Sequence, residues 1–157
     1  MATPVRIWLE VAHHGAFRIG GWAFIRLIAG EVRGTAGGAR RIDAEPASLM
    51  ALAAALADLP QGMEVELLTA SSAVLAIPSR IAAGEAGDDP PTADLELWAQ
   101  AATALRRIRL VARRAEPTSR SPTAFAAAWA DLAQGRAKDK GPFSAVIPKS
   151  NLAKAGV

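Results

Sequence analysis

The 157-residue chain has no cysteine, which excludes a disulfide scaffold, a Cys-ligated metal, an iron–sulfur cluster and a thiol nucleophile. Long apolar runs are missing too. Every hydrophobic stretch is broken by Ser, Pro, Asp or Arg well short of the roughly 18 residues a membrane span needs, and Met1–Arg6 lacks the charged-then-apolar layout of a signal segment. The expectation is a cytoplasmic protein with no membrane contact. Aromatic residues make up 5% of the chain. Trp8, Trp22, Trp98 and Trp129 all fall on predicted strands or helices, where they fill a core rather than stack bases. Glycine-rich Gly34–Gly38 has no following Gly-Lys-Ser/Thr and no dinucleotide fingerprint, so it reads as a tight turn. The serines and the two histidines form no nucleophile-elbow sequence. His13 and His14 read as surface residues of a turn.

What is there is enough apolar material, 51% of the residues, for one domain with a sizeable core. Val5, Ile7, Leu9 and Val11 alternate with Arg6, Trp8 and Glu10, the period of a half-buried strand. Trp22–Ala29 and Glu31–Thr35 supply two more strands, separated by Gly-containing turns, and three antiparallel strands result. Leu49, Leu52, Leu56 and Leu59 then recur at helical spacing, with Asp43, Glu45 and Pro46 as start signals and Pro60-Gln61-Gly62 as the stop. Met63–Thr69 reads as a buried strand, Ser71–Ile77 as a short helix ending near Pro78, and Gly84–Pro91 as a loop. Ala93–Arg106 reads as a helix, Arg107–Arg114 as a strand with one wet face, and Thr123–Gln134 as the last helix. The division is a domain over residues 1–134 and a Lys- and Pro-containing tail over 135–157. In that tail Phe143, Val146, Ile147 and Leu152 are too apolar for a solvent linker, so Phe143–Ile147 is expected to pack in extended form on the domain or on a protein partner.

This element order resembles the ribonuclease H fold, and local residues carry the likeness. Ser48-Leu49-Met50-Ala51 sits where the family's first long helix has a glutamate followed by Leu-Met. Thr69-Ala70-Ser71 is similar to the Thr-Asp-Ser at the end of the fourth strand, and Leu95-Glu96-Leu97-Trp98 to the later Asp-Leu-Trp. Ala130-Asp131-Leu132-Ala133-Gln134 resembles the last helix's Asp-Glu-Leu-Ala-Arg. The resemblance implies an α/β fold of the α+β mixed-sheet kind: a ribonuclease H-like, five-stranded mixed sheet with three antiparallel strands and flanking helices, Val5–Val11 central.

In the family, four carboxylates hold two divalent cations about 3.5–4 Å apart for phosphodiester hydrolysis. Those positions fall here on Glu10, Ser48, Ala70 and Ala130, so one acid remains. No catalytic residue and no metal cofactor are expected. Glu10 is the one candidate ligand, and Asp131 is a substitute for Ala130 only if the helix is misaligned by a residue. The hybrid-contacting amides before the first helix are replaced by Ile42-Asp43-Ala44-Glu45, and the family's basic protrusion by acidic Ala83–Pro91.

The formal charge of +3 is unevenly spread, with +5 over residues 105–120 and −4 over 80–98. Arg107, Arg109 and Arg113 alternate on one side of the predicted strand, Arg114 follows, and the four form the candidate contact for nucleic-acid phosphates, independent of sequence. Protection of a sheet edge is the other reading of the same charges. The expected function is thus a catalytically degenerate ribonuclease H-like domain serving as a nucleic-acid-binding or interaction module. The alternatives are a divergent ribonuclease that cleaves RNA in RNA–DNA hybrids with magnesium or manganese, and a structural protein-interaction partner.

Overall fold

The computed structural model describes residues 4–157. Three antiparallel strands, β1 (Val5–His14), β2 (Ile19–Ile28) and β3 (Glu31–Arg40), lead into helix α1 (Ala44–Leu56). Then come β4 (Glu64–Thr69), α2 (Ser72–Glu85), α3 (Leu95–Arg106), β5 (Arg109–Arg114), α4 (Pro122–Lys140), β6 (Phe143–Val146) and the single-turn α5 (Lys149–Leu152). The sheet runs β5-β4-β1-β2-β3-β6. β1 lies inside it, antiparallel to β2 and parallel to β4, with Val5 opposite Val65 and Trp8 opposite Leu68. Among the described residues no helix is long and apolar enough to cross a membrane.

Alternation along β1 sends its residues into two cores. Val5, Ile7 and Leu9 join Leu49, Leu52, Leu56, Leu67 and Trp98 beneath α1–α3. Trp8 meets Ala126, Ala130 and Ala133 of α4 on the opposite face, with Trp129 packed against that cluster. Three tryptophans are buried and the fourth is half-buried, so they serve the core. α4 can approach so closely because the sheet below it is glycine. A Cβ on Gly21 would overlap the backbone nitrogen of Gln134 and sit 2.6 Å from the carbonyl of Ala130, while one on Gly38 would lie 2.8 Å from the Ala137 methyl.

Several elements differ from the sequence expectation. Gly34–Gly38 is not a turn: these residues pair with Gly21–Ile25 of β2 inside a β3 that runs on to Arg40. The sheet has a sixth strand, β6, because Phe143–Val146 pairs antiparallel with Thr35–Gly38. Gln134 is consequently not a boundary between a domain and a tail: α4 runs through it to Lys140, Gly135 facing open space and Gly141 (φ 95°) ending the helix. α2 continues past Pro78 to Glu85, since losing one backbone donor is offset by packing of Ile77 and Ile81 against the core. β5 begins at Arg109, and Arg107 is instead the helical residue that closes α3 (φ −80°, ψ −16°).

Candidate functional site

β4 ends at Thr69 beside the middle of β1, and the parallel register that pairs Trp8 with Leu68 puts Glu10 level with Ala70, just past the end of β4, where its carboxylate reaches Thr69. Glu10 is 7% exposed and Thr69 fully buried. One carboxylate oxygen, Oε2, accepts from Thr69 Oγ1 at 2.9 Å and from the Ala70 N–H at 2.8 Å. Thr69 Oγ1 in turn accepts from the Ser71 N–H at 3.0 Å, and Ser71 Oγ caps α2 by accepting from the Val74 N–H at 3.2 Å. A continuous polar relay therefore joins β1, the end of β4 and the start of α2. Burial pushes the Glu10 carboxyl above its ordinary value, the bonds from Ala70 and Thr69 pull it back, and the charge of Glu116 pushes it further up.

The other three positions that the sequence resemblance sets against carboxylates carry no charge. Ser48 is buried, and its hydroxyl donates to the carbonyl of Ala44 one turn back in α1, at 3.1 Å. Ala70 contributes its backbone: the N–H goes to Glu10, and the carbonyl accepts from Arg114 at 2.9 Å. Ala130 is buried against the sheet. Asp131, one step round α4, is exposed. Among the described residues no three His, Asp or Glu side chains converge to hold a metal ion. A two-magnesium centre needs several anionic oxygens around each ion. Glu10 with Ser48, Ala70 and Ala130 does not fit it.

The arginine group divides in the structure. Arg109, Arg113 and Arg114 lie on β5, an outer strand of the sheet, whereas Arg107 lies off that strand at the end of α3, its guanidinium donating to the Leu59 carbonyl at 3.3 Å. Arg114 points toward the Glu10 relay, bonding Ala70 O and, at 2.8 Å, Ser72 Oγ. Arg109 pairs loosely with Glu64 at 3.7 Å. Arg113 is exposed and, among the described residues, has no acid within ion-pair distance. At the hairpin end, His13 Nε2 lies 2.8 Å from the Ile42 carbonyl, and Asp43 takes Arg18 Nε at 2.8 Å instead of capping α1. His13, at the end of β1 rather than in the turn, and Arg18 thus tie the β1–β2 hairpin to the β3–α1 junction, while His14 accepts from the Phe17 N–H within the hairpin.

Sequence reasoning missed Thr69 as the partner of Glu10, the approach of Glu116, and Arg26. On β2 that arginine reaches under α1 and donates to the carbonyls of Ala54, Ala55 and Ala57 at 2.6–3.2 Å. Its signal was a lone charge within Ile19–Ile28, an otherwise apolar strand.

No protein-family model matches the sequence, and no curated protein matches it. Solved structures do. The N-terminal RNase H domain of Rv2228c from Mycobacterium tuberculosis, determined as a fusion protein with maltose binding protein, superposes with a TM-score of 0.61 at 19% identity, over 88% of this chain and 98% of that one. LC9-RNase H1, described as a type 1 RNase H with the type 2 active-site motif, superposes with a TM-score of 0.65 at 14% identity, over 99% of this chain and 86% of that one.

Proposed function

Taking as premise that this chain has the ribonuclease H fold, we propose that it has given up two-metal hydrolysis and works as a binding module for nucleic-acid backbones. The observation that carries this reading is the state of Glu10. Its carboxylate is buried and spent on Thr69 and Ala70, while serine and alanine stand at the other three positions where the fold would place acids. What remains outside is positive charge on an outer strand: Arg109 and Arg113 with exposed Val111 between them, and Arg114 beside the Glu10 relay. β5 offers these arginines to phosphates and has no aromatic or amide side chain beside them to hold a base, so the binding we infer is electrostatic and indifferent to sequence.

The test uses a fluorescent RNA–DNA hybrid and a fluorescent single strand. The expected results are no cleavage with magnesium or manganese, and retention of the single strand at low salt. Three phosphate contacts at about −0.7 each give a slope of about −2 for log affinity against log salt. Replacing Arg109, Arg113 and Arg114 with glutamine brings that slope toward zero. An unchanged slope, or no retention at low salt, overturns the reading and leaves edge protection as the role of these arginines.

One observation favours a second reading, that of a divergent metal-dependent hydrolase: Glu116 lies near enough for its charge to be felt at Glu10. Metal-dependent cleavage lost in both Glu10→Gln and Glu116→Gln would establish it over the first.

A further inference from the structure

The two edges of the sheet are built differently. β5 carries three arginines, the usual defence against unwanted strand pairing. β6, Phe143-Ser144-Ala145-Val146, is uncharged and is the outer strand beside β3. Its register puts Ile147 opposite Gly34, and the Ile147 N–H donates to the Gly34 carbonyl at 2.9 Å. In an antiparallel pair such bonded residues alternate with unbonded ones. The N–H and C=O groups of Ser144 and Val146 therefore point away from β3, toward the open edge. Pro142 and Pro148 occupy the next outward positions on either side and have no N–H to offer. The available edge is thus two residues long, enough for a short docked segment and too short for indefinite sheet growth.

The surroundings state what should dock there. On the α1 side, Ser144 and Val146 line a groove of about 890 Å³ with Phe24, Ile28, Val32 and Met63, and the Val146 side chain is 79% exposed. On the opposite side, Arg136 lies over the Phe143 ring at 4.2 Å. Residues 136–154 hold five cations, Arg136, Lys138, Lys140, Lys149 and Lys154, against Asp139 alone. Self-pairing of β6 about Ala145 would bring Lys140 of one copy close to Lys149 of the other, so the charge opposes a second copy of this chain. We propose that the β6 edge receives, by strand addition, a short acidic segment of another protein in which apolar and acidic residues alternate. Its backbone pairs with Ser144 and Val146, its apolar side chains enter the groove, and its carboxylates face Arg136 and the flanking lysines.

The probe is a blocked nine-residue peptide of alternating Glu and Val, titrated to millimolar concentration into the ¹⁵N-labelled full chain, with a Lys-Val peptide as control. The expected result is amide shifts and slowed exchange centred on Ser144 and Val146, with at least tenfold weaker binding of the control. Ser144→Pro removes one outward donor that the sheet does not use, and should weaken binding at least tenfold. The double variant Lys140→Glu, Lys149→Glu leaves β6 intact and should weaken it similarly. Equal binding of both peptides, or no change at Ser144 and Val146, overturns the proposal. Sedimentation showing a dimer that Val146→Lys dissociates also overturns it, in favour of a second copy as the occupant.

Discussion

Replacing Glu10 by alanine and by glutamine separates its two roles, as a hydrogen-bond acceptor and as a charge. Alanine leaves the Thr69 hydroxyl and the Ala70 N–H without their acceptor in a buried place. An orphaned buried donor costs about 1–3 kcal/mol, so the pair costs about 2–6 kcal/mol, less what is regained by removing a buried charge. For a chain of this size that corresponds to a melting temperature lower by about 5–15 °C. Glutamine keeps an oxygen for both donors and removes the charge, so it should lie within about 1 kcal/mol of the parent at pH 7. The pH dependence gives the sign. Because burial raises the folded-state carboxyl above its ordinary value, the protonated form is the better folded one. Its stabilisation is fully present below the unfolded value of about 4.5, and it is lost as pH rises through the folded value. The parent should therefore gain stability over Glu10→Gln as pH falls from 7 toward 4. Urea unfolding of all three proteins at several pH values measures this. A loss below about 0.5 kcal/mol for alanine at pH 7, or a parent that loses ground to glutamine on acidification, would refute the account of the relay.

Three further outcomes are expected. Gly21→Ala forces a methyl into the backbone of α4 at Ala130 and Gln134 and should cost about 2 kcal/mol or more in a urea titration. Arg26→Met leaves the carbonyls of Ala54, Ala55 and Ala57 without a donor and should cost about 2–4 kcal/mol, with faster amide exchange in the last turn of α1. Pro78→Ala restores a donor inside α2 and should stabilise the chain by up to about 3 kcal/mol, read as a higher midpoint in urea.

How much of this was legible depends on whether a residue's neighbours are local. β1 could be read because its alternation is a property of the strand itself, and the leucines of α1 because their spacing is that of one helix. β6 was legible as an extended, packed segment from its apolar residues but not as a sixth strand, since four residues between prolines join a sheet only when β3 supplies the hydrogen bonds. Pro78 was misread because a local rule for stopping a helix was overridden by packing at Ile77 and Ile81. Arg107 followed the same alternation as Arg109 and Arg113, yet its carbonyl partner, Leu59, is 48 residues away. At the site, the absence of acids at Ser48, Ala70 and Ala130 was visible in the letters. The commitment of Glu10 to Thr69 was not, because it needs β1 and β4 side by side.

The pairing of Thr35–Gly38 with Phe143–Val146 also sets an order of events during synthesis. At about 5–20 residues per second, the hundred-odd residues between those segments take about 5–20 s to be made. β1, β2 and β3 are neighbours in the chain and can form their hairpins early in that interval, in microseconds once exposed. For the rest of it the far edge of β3 waits unpaired on a nascent chain, next to other copies emerging from the same message. The glycines at 34, 37 and 38 make that waiting edge a poor strand on its own, which lowers the chance that it pairs with the wrong partner before its own arrives.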